Sequence, residues 1–166
     1  DAICAVFALS KLLERLKPEL IIEMAAAQGP SRLSKFLLRS LPAKLITQPR
    51  IEEADVLVLL DTNTIQQLDE WSERVKTTSA PLVVIDHHAS HPETERIANL
   101  CITDEQSSST CEIIYRFYKE AEVEMSEAEA KALFLGIAFD TRHFVLASSH
   151  TLKTVAELID VGVKAE

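Results

Sequence analysis

Short unbroken apolar runs alternate along this chain with longer stretches in which apolar residues recur every three or four positions. Val56 to Leu60 and Pro81 to Ile85 are runs of the first kind, and each hands over to a carboxylate, Asp61 or Asp86. Apolar runs of that length fit strands buried on both faces of a parallel sheet. Thr64 to Val75 between them predicts a helix, so the order is strand, helix, strand, as in a doubly wound α/β layer. Both carboxylates then fall at C-terminal strand ends, where open parallel sheets bind their ligands.

The remaining pattern fills in the layer. Residues 2–16 read as an apolar helix with Asp1 as its cap, its carboxylate accepting from the free N–H groups of the first turn. Leu20 to Met24 and Lys44 to Thr47 read as short strands. After the Gln28-Gly29-Pro30 break, Ser31 caps a helix to Leu41 with Leu33, Phe36, Leu37 and Leu41 at helical spacing. Ile97 to Thr103 predicts a further strand. Ser109-x-x-Glu112 and Ser126-x-x-Glu129 match the capping box and open helices over 109–121 and 126–139. Ser149 to Val161 is the last helix, stopped by Gly162. The expected fold class is therefore α/β, a mainly parallel central sheet flanked by helices, with residues 1–166 as one domain.

Composition narrows the function. At 166 residues and 47% apolar, the chain has enough material for a core. A formal charge of −9 argues against a broad surface for duplex nucleic acid, which needs clustered Lys and Arg to displace counterions. Cys4, Cys101 and Cys111 are an odd set without C-x-x-C spacing, so neither a disulfide framework nor a zinc ribbon is indicated, and a reducing cytoplasm is the expected location. No apolar run approaches the ~20 residues of a membrane span.

The chemistry concentrates at three points. Asp86-His87-His88 places a carboxylate and two imidazoles where a buried strand becomes a loop, although either histidine alone reads equally well as a hydrogen-bonded turn residue. Asp61 emerges at the same sheet edge if the two strands are neighbours. Asp140 closes the apolar helix and is followed by Thr141 and Arg142; an acid there opposes the helix dipole and calls for a compensating charge. A divalent cation supplies it, and carboxylates with an imidazole suit Mn²⁺ or Mg²⁺. Arg142 has a planar fork that can grip a phosphate.

Val83-Val84-Ile85-Asp86-His87-His88, Leu59-Leu60-Asp61-Thr62-Asn63 and Gly136-Ile137-Ala138-Phe139-Asp140-Thr141 resemble three of the four motifs of the DHH phosphoesterase superfamily. That family includes RecJ-like exonucleases, oligoribonucleases, cyclic dinucleotide phosphodiesterases and family II pyrophosphatases. Its first motif has the form His-x-Asn-x-Asp-x-Asp before a helix, and Asp1 with the helix behind it is similar to the motif's last Asp. The resemblance implies a centre of two ions, Mn²⁺ or Mg²⁺, in which Asp61 bridges both and Asp1, His87 and Asp140 complete the ligands present. It further implies that His88 faces the scissile phosphate and Asp86 orients its neighbours, with Arg142 a substrate contact. Two such ions about 3.5–4 Å apart acidify a bridging water and neutralise the phosphoryl transition state. On this reading the first motif's His and first Asp, and a C-terminal substrate-binding domain, lie outside the chain, so the fragment is expected to bind at most one metal tightly and to turn over poorly.

The expected function is hydrolysis of short nucleotide-type phosphoesters by metal-activated water. Ser108-Ser109-Thr110 and Phe139-Asp140-Thr141 resemble the oligoribonuclease and phosphoadenosine phosphatase branch. Inorganic pyrophosphatase is an alternative, but its Asp-His-Asn-Glu pattern keeps only Asp61 and Asn63 here. A single-strand exonuclease needs a basic or aromatic-lined channel, which an acidic chain with 5% aromatics does not suggest. A non-catalytic nucleotide-binding module is the remaining alternative, and a homodimer is left open.

Overall fold

A computed structural model describes residues 1–164; positions 165 and 166 and the side chain of Leu33, one of the four apolar positions of the expected second helix, lie outside the described residues. In chain order the elements are α1 (Ala2–Leu16), α2 (Arg32–Ser40), β1 (Leu57–Leu60), α3 (Ser72–Thr77), β2 (Leu82–Asp86), α4 (Pro92–Ile97), β3 (Leu100–Thr103), α5 (Thr110–Glu120), α6 (Glu127–Asp140) and α7 (Ser149–Asp160). The strands form one parallel sheet in the order β1-β2-β3. Leu60 pairs with Ile85 and Asp86 with Thr103, and the backbone N–H of Asp61 still donates to Ile85 at 3.0 Å. That register brings Asp61 and Asp86 to the same edge.

β2 is central because its side chains serve two cores. Ile85 joins the main cluster, in which Phe7, Ala8 and Leu12 of α1 meet Ile113, Ile114 and Tyr118 of α5 and Leu133 and Ile137 of α6. Leu82 and Val84 point the other way, onto Ile65, Leu68, Trp71 and Val75. The period of two along a strand makes this division automatic. Close approach of α1 to α6 is permitted by Ala5, Ala8, Ala130 and Ala132, all fully buried. The Tyr118 hydroxyl, buried with them, donates to the Ala8 carbonyl at 2.7 Å and so leaves no unpaired donor in the core. Truncating Leu133 there, Leu133→Ala, would cost about 2–5 kcal/mol.

Several expected elements differ. Leu20–Met24 and Lys44–Thr47 are not strands: a single parallel bridge, Ala25 to Ile46, is all that pairs in that region. The segments carry too few apolar neighbours to extend the ladder. The helix expected over 64–75 is instead a 3-10 segment, Ile65–Trp71, broken at Asp69 with φ 52°, followed by α3. β1 is an edge strand with Val58 exposed rather than a strand buried on both faces. The strand expected from Ile97 begins only at Leu100, because Pro92 at the first helical position and His91 as cap start α4 in between. Ser126 and Glu129 form the full capping box, but at α5 only half of it exists: the Ser109 hydroxyl accepts from Glu112, whose carboxylate reaches past Ser109 to the Ser108 N–H. Gly162 ends α7 at φ 122°, as expected. Among the described residues no helix is long and apolar enough to cross a membrane.

Candidate metal centre

Four elements converge on one end of the sheet. β1 delivers Asp61, β2 delivers Asp86, His87 and His88, α6 ends on Asp140, and Asp1 precedes α1. Asp61 turns off its strand at φ 56°, a left-handed conformation that costs a residue with a β-carbon about 1–2 kcal/mol. Such strain concentrates where a side chain has to be aimed.

Asp1, Asp61, His87 and Asp140 each present one ligand atom, and all four atoms lie within 4.8 Å of one another; Asp61, Asp86, His87 and His88 do the same. Asp61 and His87 belong to both groups. His87 Nε2 stands 3.0 Å from Asp140 Oδ2 and 3.8 Å from Asp61 Oδ1, yet it is buried and makes no aligned hydrogen bond. A buried nitrogen that faces two carboxylates without an aligned hydrogen bond fits the role of a metal ligand.

His88 is held differently. Asp86 Oδ1 accepts from the His88 backbone N–H at 2.9 Å and from its Nδ1 at 2.8 Å. An ionised carboxylate only accepts, so the proton of neutral His88 sits on Nδ1 and Nε2 is left free. Asp86 itself is 1% exposed, with its second oxygen unpartnered.

The electrostatics ask for a cation. Burial raises the Asp61 carboxyl, and the neighbouring Asp140 and Asp86 charges raise it further. Burial works against the His87 imidazolium, but Asp140, Asp61 and Asp86 outweigh it, so His87 is raised as well. Among the described residues no Lys or Arg pairs with Asp1, Asp61, Asp86 or Asp140. Hard oxygens, one partly buried imidazole and no thiolate fit Mn²⁺ or Mg²⁺.

One expectation about Asp1 is corrected. Its side chain does not cap α1; Oδ2 accepts from the Thr110 N–H at 2.6 Å and Oδ1 from the Cys111 N–H at 3.1 Å, both in the first turn of α5. An anion gains from the partial positive charge of a helix N-terminus, whichever helix offers it. Arg142 is exposed at φ 52°, belongs to neither ligand group and forms no ion pair among the described residues. His91 caps α4, His143 lies edge-on to Phe139 at 5.6 Å between ring centroids, and His150 stands 3.7 Å from the buried Glu112.

Sequence reasoning missed two residues. The Thr110 hydroxyl donates to Asp61 Oδ1 at 3.3 Å while its N–H holds Asp1. A β-carbon on Gly136 would meet Cys111 Sγ at 2.2 Å and Asp1 Oδ1 at 2.9 Å, so only glycine admits the α5 turn and the Asp1 carboxylate at this distance from α6. Thr110 stood out only within Ser108-Ser109-Thr110 beside a helix cap, and Gly136 only as the first residue of the motif that ends on Asp140-Thr141, and neither pattern signals a contact with Asp1. Beside the carboxylates opens a cleft lined by Ile3, Ser34, Leu37 and Phe139 together with Asp1 and Asp61.

A family model described as the DHH family, N-terminal domain, matches residues 1–137. The chain belongs to the DHH family. An uncharacterized protein of Methanocaldococcus jannaschii is 30% identical over 166 residues, which cover 96% of this chain and 47% of that protein. A probable manganese-dependent inorganic pyrophosphatase of Lactococcus lactis is 28% identical, covering all of this chain and 54% of that protein. A probable bifunctional oligoribonuclease and PAP phosphatase of Streptococcus mutans is 28% identical over 109 residues, 64% of this chain and 33% of that protein. The DHH domain thus spans about half, or less, of the length of these curated relatives. The crystal structure of an exopolyphosphatase-related protein from Bacteroides fragilis has the same fold, with a TM-score of 0.82 at 22% identity over 99% of this chain and 50% of that one.

Proposed function

We propose that this DHH domain carries the metal centre of a phosphoesterase that hydrolyses phosphate ester bonds of short nucleotide-type substrates. The observation that carries the reading is the four-residue group Asp1, Asp61, His87 and Asp140, beside which Asp86 and His88 also stand within reach of Asp61 and His87. Asp1, Asp61, His87 and Asp140 would hold the metal. Divalent ions held there, Mn²⁺ or Mg²⁺, would supply Lewis acidity and an acidified water.

The chain's own residues do the rest. The α5 turn holds the Asp1 carboxylate in place, and Asp86 locks the His88 ring. With Nδ1 tied, His88 offers Nε2 to the substrate, donating to a phosphate oxygen when protonated and accepting a proton when neutral. Arg142, two residues beyond Asp140 and exposed, would contact an outer phosphate. The three cysteines are free, in keeping with a cytoplasmic location.

The test is hydrolysis by the complete natural protein with Mn²⁺, comparing 3′-phosphoadenosine 5′-phosphate, a short RNA oligomer and pyrophosphate, with Asp61→Ala alongside. The nucleotide substrates are expected to be cleaved, and the substitution to lower the rate about a thousandfold or more, equivalent to several kcal/mol of transition-state stabilisation. Cleavage of pyrophosphate alone would move the reading to the activity named for the Lactococcus relative. No cleavage of any of the three would leave a nucleotide-binding module.

A further inference from the structure

Charge is segregated sharply along an otherwise acidic chain. Between Glu23 and Glu52 the sequence carries Arg32, Lys35, Arg39, Lys44 and Arg50 and no acidic residue. Arg50 pairs with Glu23 at 2.5 Å, but Arg32, Lys35, Arg39 and Lys44 are exposed and take part in no ion pair among the described residues. α2 sorts its residues by face: Leu37 is buried, and Ser34 and Leu37 line the cleft that Asp1 and Asp61 also line. Arg32, Lys35 and Arg39 recur at i, i+3 and i+7, one stripe on the outer side of the helix. Phe36, next to that stripe, is 66% exposed.

Like charges clustered without counter-charges repel one another, and the arrangement becomes favourable when an anion lies along it. Cations interleaved with an exposed aromatic are what sequence-tolerant single-strand binding needs: attraction along the backbone and a face for a base to stack on. The chain-wide charge of −9 and 5% aromatics conceal this local surface.

We infer that α2 is a cationic rail for a single-stranded oligonucleotide. Arg32, Lys35 and Arg39 take successive phosphates and Phe36 stacks on a base, while the terminal phosphoester enters the cleft that Ser34 and Leu37 share with Asp1 and Asp61. The inference rests on the phosphoesterase reading for its substrate, and makes that substrate a strand held more tightly as it lengthens.

Binding of fluorescent RNA to the complete protein, measured by anisotropy across salt concentrations, tests it. Phosphorothioate-linked di- and hexanucleotides resist hydrolysis, so the readout is independent of turnover. In Arg32→Gln/Lys35→Gln/Arg39→Gln the hexanucleotide is expected to bind about tenfold or more weakly, with a smaller loss for the dinucleotide. The dependence of log Kd on log salt should become shallower by about two, at roughly 0.7 for each phosphate contact removed. Phe36→Ala should weaken the hexanucleotide at least about fivefold and leave the salt dependence unchanged. All four side chains are exposed, and circular dichroism checks that the variants fold. Equal losses for both lengths, or none, would overturn the rail, as would loss of binding to phosphatidylserine vesicles with RNA binding intact. Length-dependent binding by a protein that cleaves none of the three test substrates would retain the rail and reject the catalytic reading.

Discussion

His87 and His88 are adjacent in sequence and their rings are 4.0 Å apart, but they stand in different surroundings. The His87 side chain is 14% exposed and its Nε2 is walled in by Asp140 and Asp61 without a hydrogen bond. The His88 side chain is 54% exposed and is anchored through Nδ1 to Asp86. Successive residues leaving a strand point to opposite sides, so two identical side chains reach an inner, carboxylate-lined space and an outer, open one. The inner histidine faces two carboxylates without an aligned hydrogen bond, and the outer one has a fixed tautomer. A closed nitrogen suits coordination, and an oriented, accessible one suits proton transfer.

The comparison predicts a clean separation of effects. In the complete protein His88→Ala should lower kcat about 100-fold or more, the scale of general acid–base catalysis, and leave Mn²⁺ affinity within about twofold. His87→Ala should lower Mn²⁺ affinity about 100-fold, and with it activity at limiting metal. Calorimetric Mn²⁺ titrations set beside saturating-metal kcat distinguish the two. Equal losses of affinity in both variants would break the assignment of inner and outer roles.

Protons sharpen the same contrast, because they compete with the cation on the inner side only. Asp61 and His87 both hold protons more tightly than usual, the first through burial and the second because its carboxylate neighbours overcome burial. A folded-state pKa above the unfolded value means extra protons bound on folding. For His87 this stabilisation is present in full below its unfolded value, near 6.5, and is lost as pH rises through the higher folded one. The metal-free Tm is expected to fall by a few degrees relative to His87→Gln as pH rises above about 6.5. Saturating Mn²⁺ should abolish the trend by occupying the protons' place. A metal-free difference that grows with pH would show that the carboxylates do not govern His87.

How much of this was legible in the sequence depended on the range of the interactions. The apolar runs ending at Asp61 and Asp86 marked β1 and β2, although only the central β2 is buried as that pattern implies and β1 lies at the edge. Asp61, Asp86, His87, His88 and Asp140 stood out as chemistry-bearing residues at element ends, and the fold brings all five to one edge. Residues 20–24 and 44–47, on either side of the correctly expected helix α2, were misread as strands because their short apolar runs resemble buried strands, whereas only Ala25 and Ile46 find each other. Asp1 was read as a cap for its own helix, and the competing partner, the start of α5, is more than a hundred residues away. Local pattern cannot choose between two helix N-termini; packing does.

That long-range choice yields the smallest and most specific prediction. Thr110 touches both inner carboxylates, Asp1 through its N–H and Asp61 through its hydroxyl, and it is fully buried. Thr110→Val keeps the shape and the N–H and removes only the bond to Asp61, whereas Thr110→Ser keeps the hydroxyl. Loss of an outer hydrogen bond to a ligand typically costs 10–100-fold in metal affinity, and the 3.3 Å length of this one argues for the lower end. Thr110→Val is therefore expected to weaken Mn²⁺ binding about tenfold without changing the pH trend assigned to His87, and Thr110→Ser to restore most of it. If valine and serine bind Mn²⁺ equally well, the α5 turn holds Asp1 alone, and Asp61 owes its aim to the left-handed turn at the end of β1.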